Sequence, residues 1–434
     1  MLAHRHRRTR VLVTGMGVVS PIGCDLSSFW EAQTSLRCGV GPIEAFDASG
    51  YATTFAGAVD PDLFYGAVST RVTRKVDTFV VMALAAAAQA VGQAGLAGPA
   101  KDHLDPTRVG VCLGTSSGPL ATNYAADVAF HHGGQSGLRR ALPYISTASS
   151  VAAASAELAL AYKFKGPSLT VSAECSSGAN AIGVATAMIR SGAAEVMLCG
   201  GVDATVNERS LAIMSMVGAL STRNDDPAAA CRPFDRDRDG FVLGEGSGIL
   251  VLESERSARS RGVDVLGEIA GYGAATDTHH ATAPDPSGAG AVSAMRAALT
   301  DAELGPTDIG FVNAHATGTP LNDPIELSAL RSVFEDRAEQ VPIYGIKPLT
   351  GHMIAAAGAV EAIAALLSLR HRTIPATLNC DSSIDPEMDI VTGTARPHSA
   401  DYGLSTSYGF GGQCAALVLA GPDRAQQPEG RTGA

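Results

Sequence analysis

A weak internal repeat, with a period of about half the chain, most narrows the folds open to these 434 residues. Val11-Leu-Val-Thr-Gly15-Met-Gly17 reads as a strand running into a glycine turn, and Leu266-Gly-Glu-Ile-Ala-Gly271-Tyr-Gly273 does the same. Val109-Gly-Val-Cys-Leu-Gly114-Thr-Ser is echoed by Ile309-Gly-Phe-Val-Asn-Ala-His315-Ala-Thr. The strand, glycine-bearing turn and Ala-rich helix of Ser168 to Gly183 return at Pro342 to Gly358. A last echo pairs Gly240 to Leu252 with Gly409 to Leu419, each a Gly-rich turn followed by an apolar strand. Strands alternate with helices in both halves, which predicts two α/β layers with mixed sheets. Four echoes in one order favour duplication over chance. The charged, Ser/Arg-rich stretch from Ser254 to Gly262 marks the boundary. The expected halves are residues 9–260 and 261–422, and the polar residues 423–434 are expected to form a disordered tail.

With 46% hydrophobic and 17% charged residues, the chain is too apolar for disorder. So little charge also suggests that a partner subunit covers some surface. A net charge of −11 argues against a general nucleic-acid or anionic-membrane binder, so any cationic surface must be a local patch. Only five of the 32 cations are lysine, which reads as codon bias. No run of about 20 apolar residues exists; the best, Phe79 to Ala88, is short and reads as a core helix. The basic start, Met1 to Arg10, leads into no apolar leader with a cleavage site. A cytoplasmic protein with a frayed N-terminus is expected. Eight cysteines without a CxxC pair point to neither a zinc site nor a disulfide framework. Most read as small buried hydrophobes.

Cys175, in Val171-Ser-Ala-Glu-Cys175-Ser-Ser-Gly178-Ala-Asn180, is different. Apolar residues then recur at Ala181, Ile182, Ala185, Met188 and Ile189, which is helical spacing. A thiol at such a helix start feels unpaired N–H groups and the positive dipole end, both favouring thiolate. Glu174 opposes that effect. From local sequence alone, a buried structural cysteine competes with this reading. Met353, Ala357, Val360, Ala364 and Leu367 likewise fall on one helix face after His352. Cys175 and His352 are therefore expected at equivalent strand-to-helix turns, with His315 just beyond a third strand end, where open α/β sheets place ligands. A cysteine and two such histidines form a nucleophile-plus-polarising set rather than a metal site. His103, His131, His132, His371 and His398 read as structural or surface residues.

Taken together, Cys175-Ser-Ser-Gly178, Asn313-Ala-His315-Ala-Thr-Gly-Thr-Pro320, Lys347-Pro-Leu-Thr-Gly-His352-Met and Tyr408-Gly-Phe410-Gly-Gly412 resemble the β-ketoacyl-acyl carrier protein synthases. Ala219-Leu-Ser-Thr-Arg-Asn224 and Arg232-Pro-Phe-Asp-Arg-Asp-Arg-Asp-Gly240 support the likeness, which runs from about residue 9 to 422. The chain is similar to the elongating, type II-like branch, which includes ketosynthases of dissociated polyketide systems. The resemblance implies a thiolase-like α/β fold, duplicated halves in α-β-α-β-α layers, usually dimeric. It implies a ping-pong condensation: Cys175 takes an acyl group from a carrier protein's pantetheine, and decarboxylated malonyl-carrier protein attacks it. His315 and His352 would stabilise the enolate oxygen, and the N–H groups of Cys175 and Phe410 a second oxyanion. Lys347 and its ionic partner Glu361 would order the site. Thr317 and Thr319 would bind the pantetheine arm, Phe410 would gate the acyl pocket, and Ser117 would lie at its floor. Arg71, Arg74 and Lys75, expected to open the helix through Phe79, would dock the acidic carrier. No metal or organic cofactor is implied.

Several positions depart from the family pattern: Gly218 where arginine is common, Glu174 and Ala316 in place of small residues and glycine, Pro348 for serine, and Thr406, Gln413 and Cys414 in the final loop. These put housekeeping fatty-acid synthesis in doubt and favour specialised polyketide chemistry. Small, polar Ser117 favours a longer or more polar chain. A degradative thiolase is a poorer match, because that family lacks the Gly351-His352 motif. A pocket-shaping chain-length-factor-like subunit of a heterodimer is the non-catalytic alternative, although such subunits typically lack the nucleophile.

Overall fold

The computed structural model describes residues 8–97 and 104–427. His103 therefore lies outside the described residues, as do Met1 to Arg7 and residues 428–434. Ten strands make the main sheet: β1 (Val11–Val19), β2 (Val109–Gly114), β3 (Ser168–Val171), β4 (Val196–Asp203), β5 (Gly246–Ser254), β6 (Gly267–Thr276), β7 (Ile309–Asn313), β8 (Ile343–Tyr344), β9 (Tyr402–Gly409) and β10 (Gln413–Ala420). Their spatial order is β8-β7-β9-β10-β6-β1-β5-β4-β2-β3. The second five strands mirror the first five about the β6–β1 junction. Pairing directions match as well: β2 is parallel to β3 and β4, and β7 is parallel to β8 and β9. The remaining neighbours in each half are antiparallel. The junction is narrow, with Leu12 opposite Glu268 and Val13 opposite Gly267.

Four helices complete the layers. Helix α1 (Thr78–Gln93) packs on β1 and β5, and α3 (Ala289–Ala302) on β6 and β10. Between the two five-strand sets lie α2 (Ser177–Arg190) and α4 (Ala357–His371), which touch each other and strands of both sets. Helix α1 is the expected core helix, and the Asp77 carboxylate accepts from the Phe79 N–H at 3.3 Å to cap it. Helix α4 departs from the one-faced pattern. Every residue from Ala357 to Leu369 is buried, because a helix with a sheet on either side has no wet face. Among the described residues, Ile354–His371 is the segment long and apolar enough to cross a membrane, and here it forms the central layer.

Arg10 is buried and bonds Glu268 of β6, tying β1 to the second half. It also donates to the carbonyl of Gln427 at 2.8 Å. Of the tail expected at residues 423–434, the first residues belong to a short helix, Pro422–Gln426, whose Arg424 reaches the Tyr402 hydroxyl, and residues 428–434 lie outside the described residues.

The equivalence expected for Cys175 and His352 is shifted by three residues. Two one-turn 3-10 segments, Glu174–Ser176 and Ile354–Ala356, lead into α2 and α4. Their first residues share a left-handed backbone, φ 48° at Glu174 and 45° at Ile354. Ala355 is thus the counterpart of Cys175, and His352 sits upstream of that turn. The two turns meet closely: a Cβ on Gly178 would lie 2.6 Å from the Ala355 carbonyl oxygen. Only glycine permits that approach.

Candidate active site

Cys175, His315 and His352 line one cavity of about 310 Å³, together with Thr317, Thr319 and Phe410. All three side chains are nearly inaccessible, at 6%, 2% and 2% exposure. The imidazoles of His315 and His352 stand edge to face with centroids 5.2 Å apart. Phe241 packs edge-on against His352 at 5.4 Å. Gly409 lies against the nucleophile turn, where a Cβ would meet the Ala173 carbonyl oxygen at 2.8 Å, and this brings the Phe410 N–H to the Cys175 sulfur.

Lys347 is the electrostatic centre. Its ammonium bonds the Glu361 carboxylate and the His315 carbonyl oxygen, and it lies 3.4 Å from His315 Nδ1. An ammonium has only donors, so Nδ1 must accept and the His315 proton sits on Nε2. Both histidines are pushed well below the ordinary imidazole pKa, by burial first and then by Lys347. Two neutral rings, each able to donate one N–H, therefore face the cavity. Burial pushes the Cys175 thiol up to about 12. Glu174 and Asp203 add to that, while Lys347 and the Phe410 N–H oppose it. The helix-start argument for a resting thiolate is corrected: desolvation outweighs it.

Sequence reasoning missed the groups that hold this frame. Glu326, eleven residues beyond His315 in sequence, accepts the N–H groups of His315 and Ala316, each at 2.8 Å, and the Thr406 hydroxyl at 3.0 Å. Its carboxyl is pushed up to about 7 by burial. Its signal was a carboxylate one helical turn after Asn322. Asp203 ends an apolar strand, and that isolation was its signal. It accepts the Thr115 hydroxyl at 2.6 Å and the Ala355 N–H at 3.1 Å, so one carboxylate clamps both halves at the site. His280 also lines the cavity, with its Nδ1 accepting the N–H groups of Thr282 and Ala283.

The departures have local explanations. Ala316 holds φ 46°, a conformation in which glycine carries no penalty and alanine costs about 1–2 kcal/mol. Pro348 falls in the first turn of Lys347–Thr350, where no N–H is needed. Gly218 caps helix Glu208–Val217 at φ 70°. Thr406 replaces an amide but still reaches the His315 N–H at 3.1 Å. Cys414 is buried and lines the cavity opposite Tyr408 in the β9–β10 pair.

Other expected residues lie apart. Ser117 is not among the residues lining the cavity; its N–H points to Asp203 at 3.3 Å. Arg71 and Arg74 are exposed on and just after a separate short helix, Thr70–Thr73, and do not open α1. Lys75 sits 4.6 Å over the Tyr144 ring. The described histidines expected to be structural or surface residues are so: His131 and His132 are exposed, His371 stacks on Trp30, and His398 faces the Ser368 carbonyl.

A thiol pushed to about 12 gives a simple test. Iodoacetamide labelling of Cys175, followed by peptide mass spectrometry, should accelerate about tenfold per pH unit from about pH 7 to about pH 10. A plateau by about pH 8 would show instead that the site stabilises thiolate at rest.

Comparison with known proteins agrees with this geometry. The β-ketoacyl synthase N-terminal domain model matches residues 8–258 and the C-terminal domain model residues 266–381. The chain is 38% identical over 417 residues to 3-oxoacyl-[acyl-carrier-protein] synthase 2 of Vibrio harveyi, covering 95% of this chain and 98% of that one. Among solved structures, the ishigamide ketosynthase/chain length factor matches with a TM-score of 0.86 and 32% identity, over 96% of this chain and 100% of that chain. A type II polyketide synthase carrier protein in complex with its ketosynthase bound to the hexaketide matches with a TM-score of 0.86 and 29% identity, at the same coverage. With its mirrored ten-strand core and its Cys175, His315 and His352 cavity, the chain belongs to the β-ketoacyl synthase family of condensing acyltransferases, with the thiolase-like fold.

Proposed function

We propose that this enzyme performs a decarboxylative Claisen condensation on acyl groups delivered by an acyl carrier protein, in specialised polyketide assembly. The observation that carries the reading is one thiol facing two neutral imidazoles in one buried cavity. In the first half-reaction, Cys175 Sγ attacks the carrier thioester. The Cys175 proton passes through a cavity imidazole to the departing pantetheine thiol, leaving an acyl-Cys175 thioester. Malonyl-carrier protein then loses CO₂, and the C–C bond electrons form an enolate whose oxygen accepts from the His315 and His352 N–H groups. The enolate carbon attacks the acyl carbonyl, the Phe410 and Cys175 N–H groups hold the new oxyanion, and Cys175 leaves as thiolate and takes a proton from water. Water supplies the one net proton, and thioester, thiol and imidazoles carry the rest, so the scheme calls on no metal or organic cofactor. Eight unpaired cysteines fit a reducing compartment such as the cytoplasm. The polyketide reading is supported by the altered residues around the cavity, Glu174, Thr406 and Cys414, and by likeness to type II polyketide ketosynthases.

Mass spectrometry after incubation with an acyl-carrier protein tests the nucleophile: an acyl adduct is expected on Cys175 and none on Cys175→Ala. Removing one preorganised donor typically costs roughly 10²–10³-fold in rate. His315→Ala and His352→Ala should each slow CO₂ release from malonyl-carrier protein by about that much. Undiminished release in both would overturn the histidine roles, and an unmodified Cys175 would favour a non-catalytic partner subunit.

For carrier docking, exposed Arg71 and Arg74 offer positive charge to an acidic partner. A variant with Arg71→Ala and Arg74→Ala should raise KM for the carrier substrate several-fold, leave kcat unchanged and weaken salt dependence. An unchanged KM would move docking to the apolar rim of Met216 and Leu321, exposed at 88% and 59%.

Strand β3 is an edge strand of the sheet, and its Leu169 is exposed, as is Leu160 on the adjoining helix Ala153–Tyr162. An uncovered apolar edge of this kind invites strand pairing. The expected partner is a second ketosynthase-like chain. Native mass spectrometry should find a dimer that Leu160→Glu with Leu169→Lys dissociates; a monomeric wild type would overturn it.

A further inference from the structure

Glu174 adjoins the nucleophile, yet the scheme above gives its carboxylate no task. It occupies a left-handed backbone position, φ 48°. Its Oε2 accepts one hydrogen bond, from the Ser116 hydroxyl at 2.9 Å, and no basic side chain among the described residues forms an ion pair with it. The residue lines a second, more open cavity of about 340 Å³, shared with Ser172, Gln413 and Phe410. Phe410 and Gly411 also line the cavity that holds Cys175, so one short loop borders both spaces. Phe410 is flanked by Gly409 and by Gly411 and Gly412, whose φ values are 73° and 74°, a backbone that favours glycine.

An acyl chain on Cys175 that passes Phe410 therefore meets the Glu174 carboxylate, the Ser172 hydroxyl and the Gln413 carboxamide among small apolar residues. Pressing alkyl groups against an unpaired carboxylate removes its water and returns nothing. A hydroxyl or ammonium on the chain returns a charge-assisted hydrogen bond. We infer that Glu174 determines acyl specificity, selecting chains that carry a hydrogen-bond donor over saturated chains of equal length. This rests on the proposed role of Cys175 as acyl acceptor and deepens it by naming the substrate class.

The test uses N-acetylcysteamine thioesters, which bypass carrier docking: hexanoyl, 5-hydroxyhexanoyl and 6-aminohexanoyl. The rate of Cys175 acylation is read by intact mass for wild type, Glu174→Gln and Glu174→Ala. Transfer forms the Cys175 thioester and releases N-acetylcysteamine as the thiol. Wild type should favour at least one donor-bearing chain about tenfold over hexanoyl. Glu174→Gln should lose most of that preference, and Glu174→Ala should reverse it. The two donors separate the sources: preference for the amine alone identifies a cationic chain, and preference for both a neutral polar one. Because each preference is a ratio within one protein, neither partial misfolding nor a changed thiol pKa mimics it. Acylation with the same ratio in all three proteins overturns this inference alone. No acylation of wild type by any thioester overturns the reading of Cys175 as well.

Discussion

Everything at the site depends on the close meeting of two helix starts between two sheets. Helix α2 brings Cys175 and helix α4 brings the turn after His352, and neither half alone holds the set. The approach is possible because Gly178 has no Cβ to strike the Ala355 carbonyl oxygen, 2.6 Å from where that carbon would be. Gly201 is under the same constraint, at 2.3 Å from the same oxygen. Asp203 then bonds the Ala355 N–H and the Thr115 hydroxyl, so the clamp is polar as well as steric. A buried carboxylate is costly unless it is satisfied, and here hydroxyl and N–H donors satisfy it.

Within that frame, charge is placed where water is absent. Lys347 and Glu361 are each about 1% exposed, and such a pair is held at a desolvation cost that packed hydrophobes would avoid. What the pair contributes is orientation. The ammonium dictates which His315 nitrogen carries the proton and, with burial, keeps both rings neutral. A neutral N–H donor facing a developing oxyanion, already in position, is what an enolate-forming reaction needs. The protonated resting thiol fits the same logic, since a dry cavity that strengthens donors also disfavours a free sulfur anion.

The departures from the family pattern divide by their surroundings. Ala316, Pro348 and Gly218 are accommodated by backbone conformation. Glu174, by contrast, places a carboxyl group next to the Cys175 sulfur and lines a separate cavity that it shares with Phe410. It is the departure with the most direct route to substrate choice.

The repeat of strand, glycine turn and helix is local, so duplication, the core helix at Phe79 and the three residues that meet in one cavity were legible in the chain itself. Side-chain chemistry and short-range periodicity suffice for these. The tertiary structure decided what depends on neighbours distant in sequence. Helix α4 is buried on every face because a second sheet covers what local pattern reads as its polar side. Ala355, not His352, mirrors Cys175 because left-handed turns at Glu174 and Ile354 set the register. Glu326 and Asp203 gain meaning only from the N–H groups that folding turns toward them. The thiol's protonation followed from burial and not from helix position, because desolvation is a property of the whole packed surroundings, and no stretch of sequence contains it.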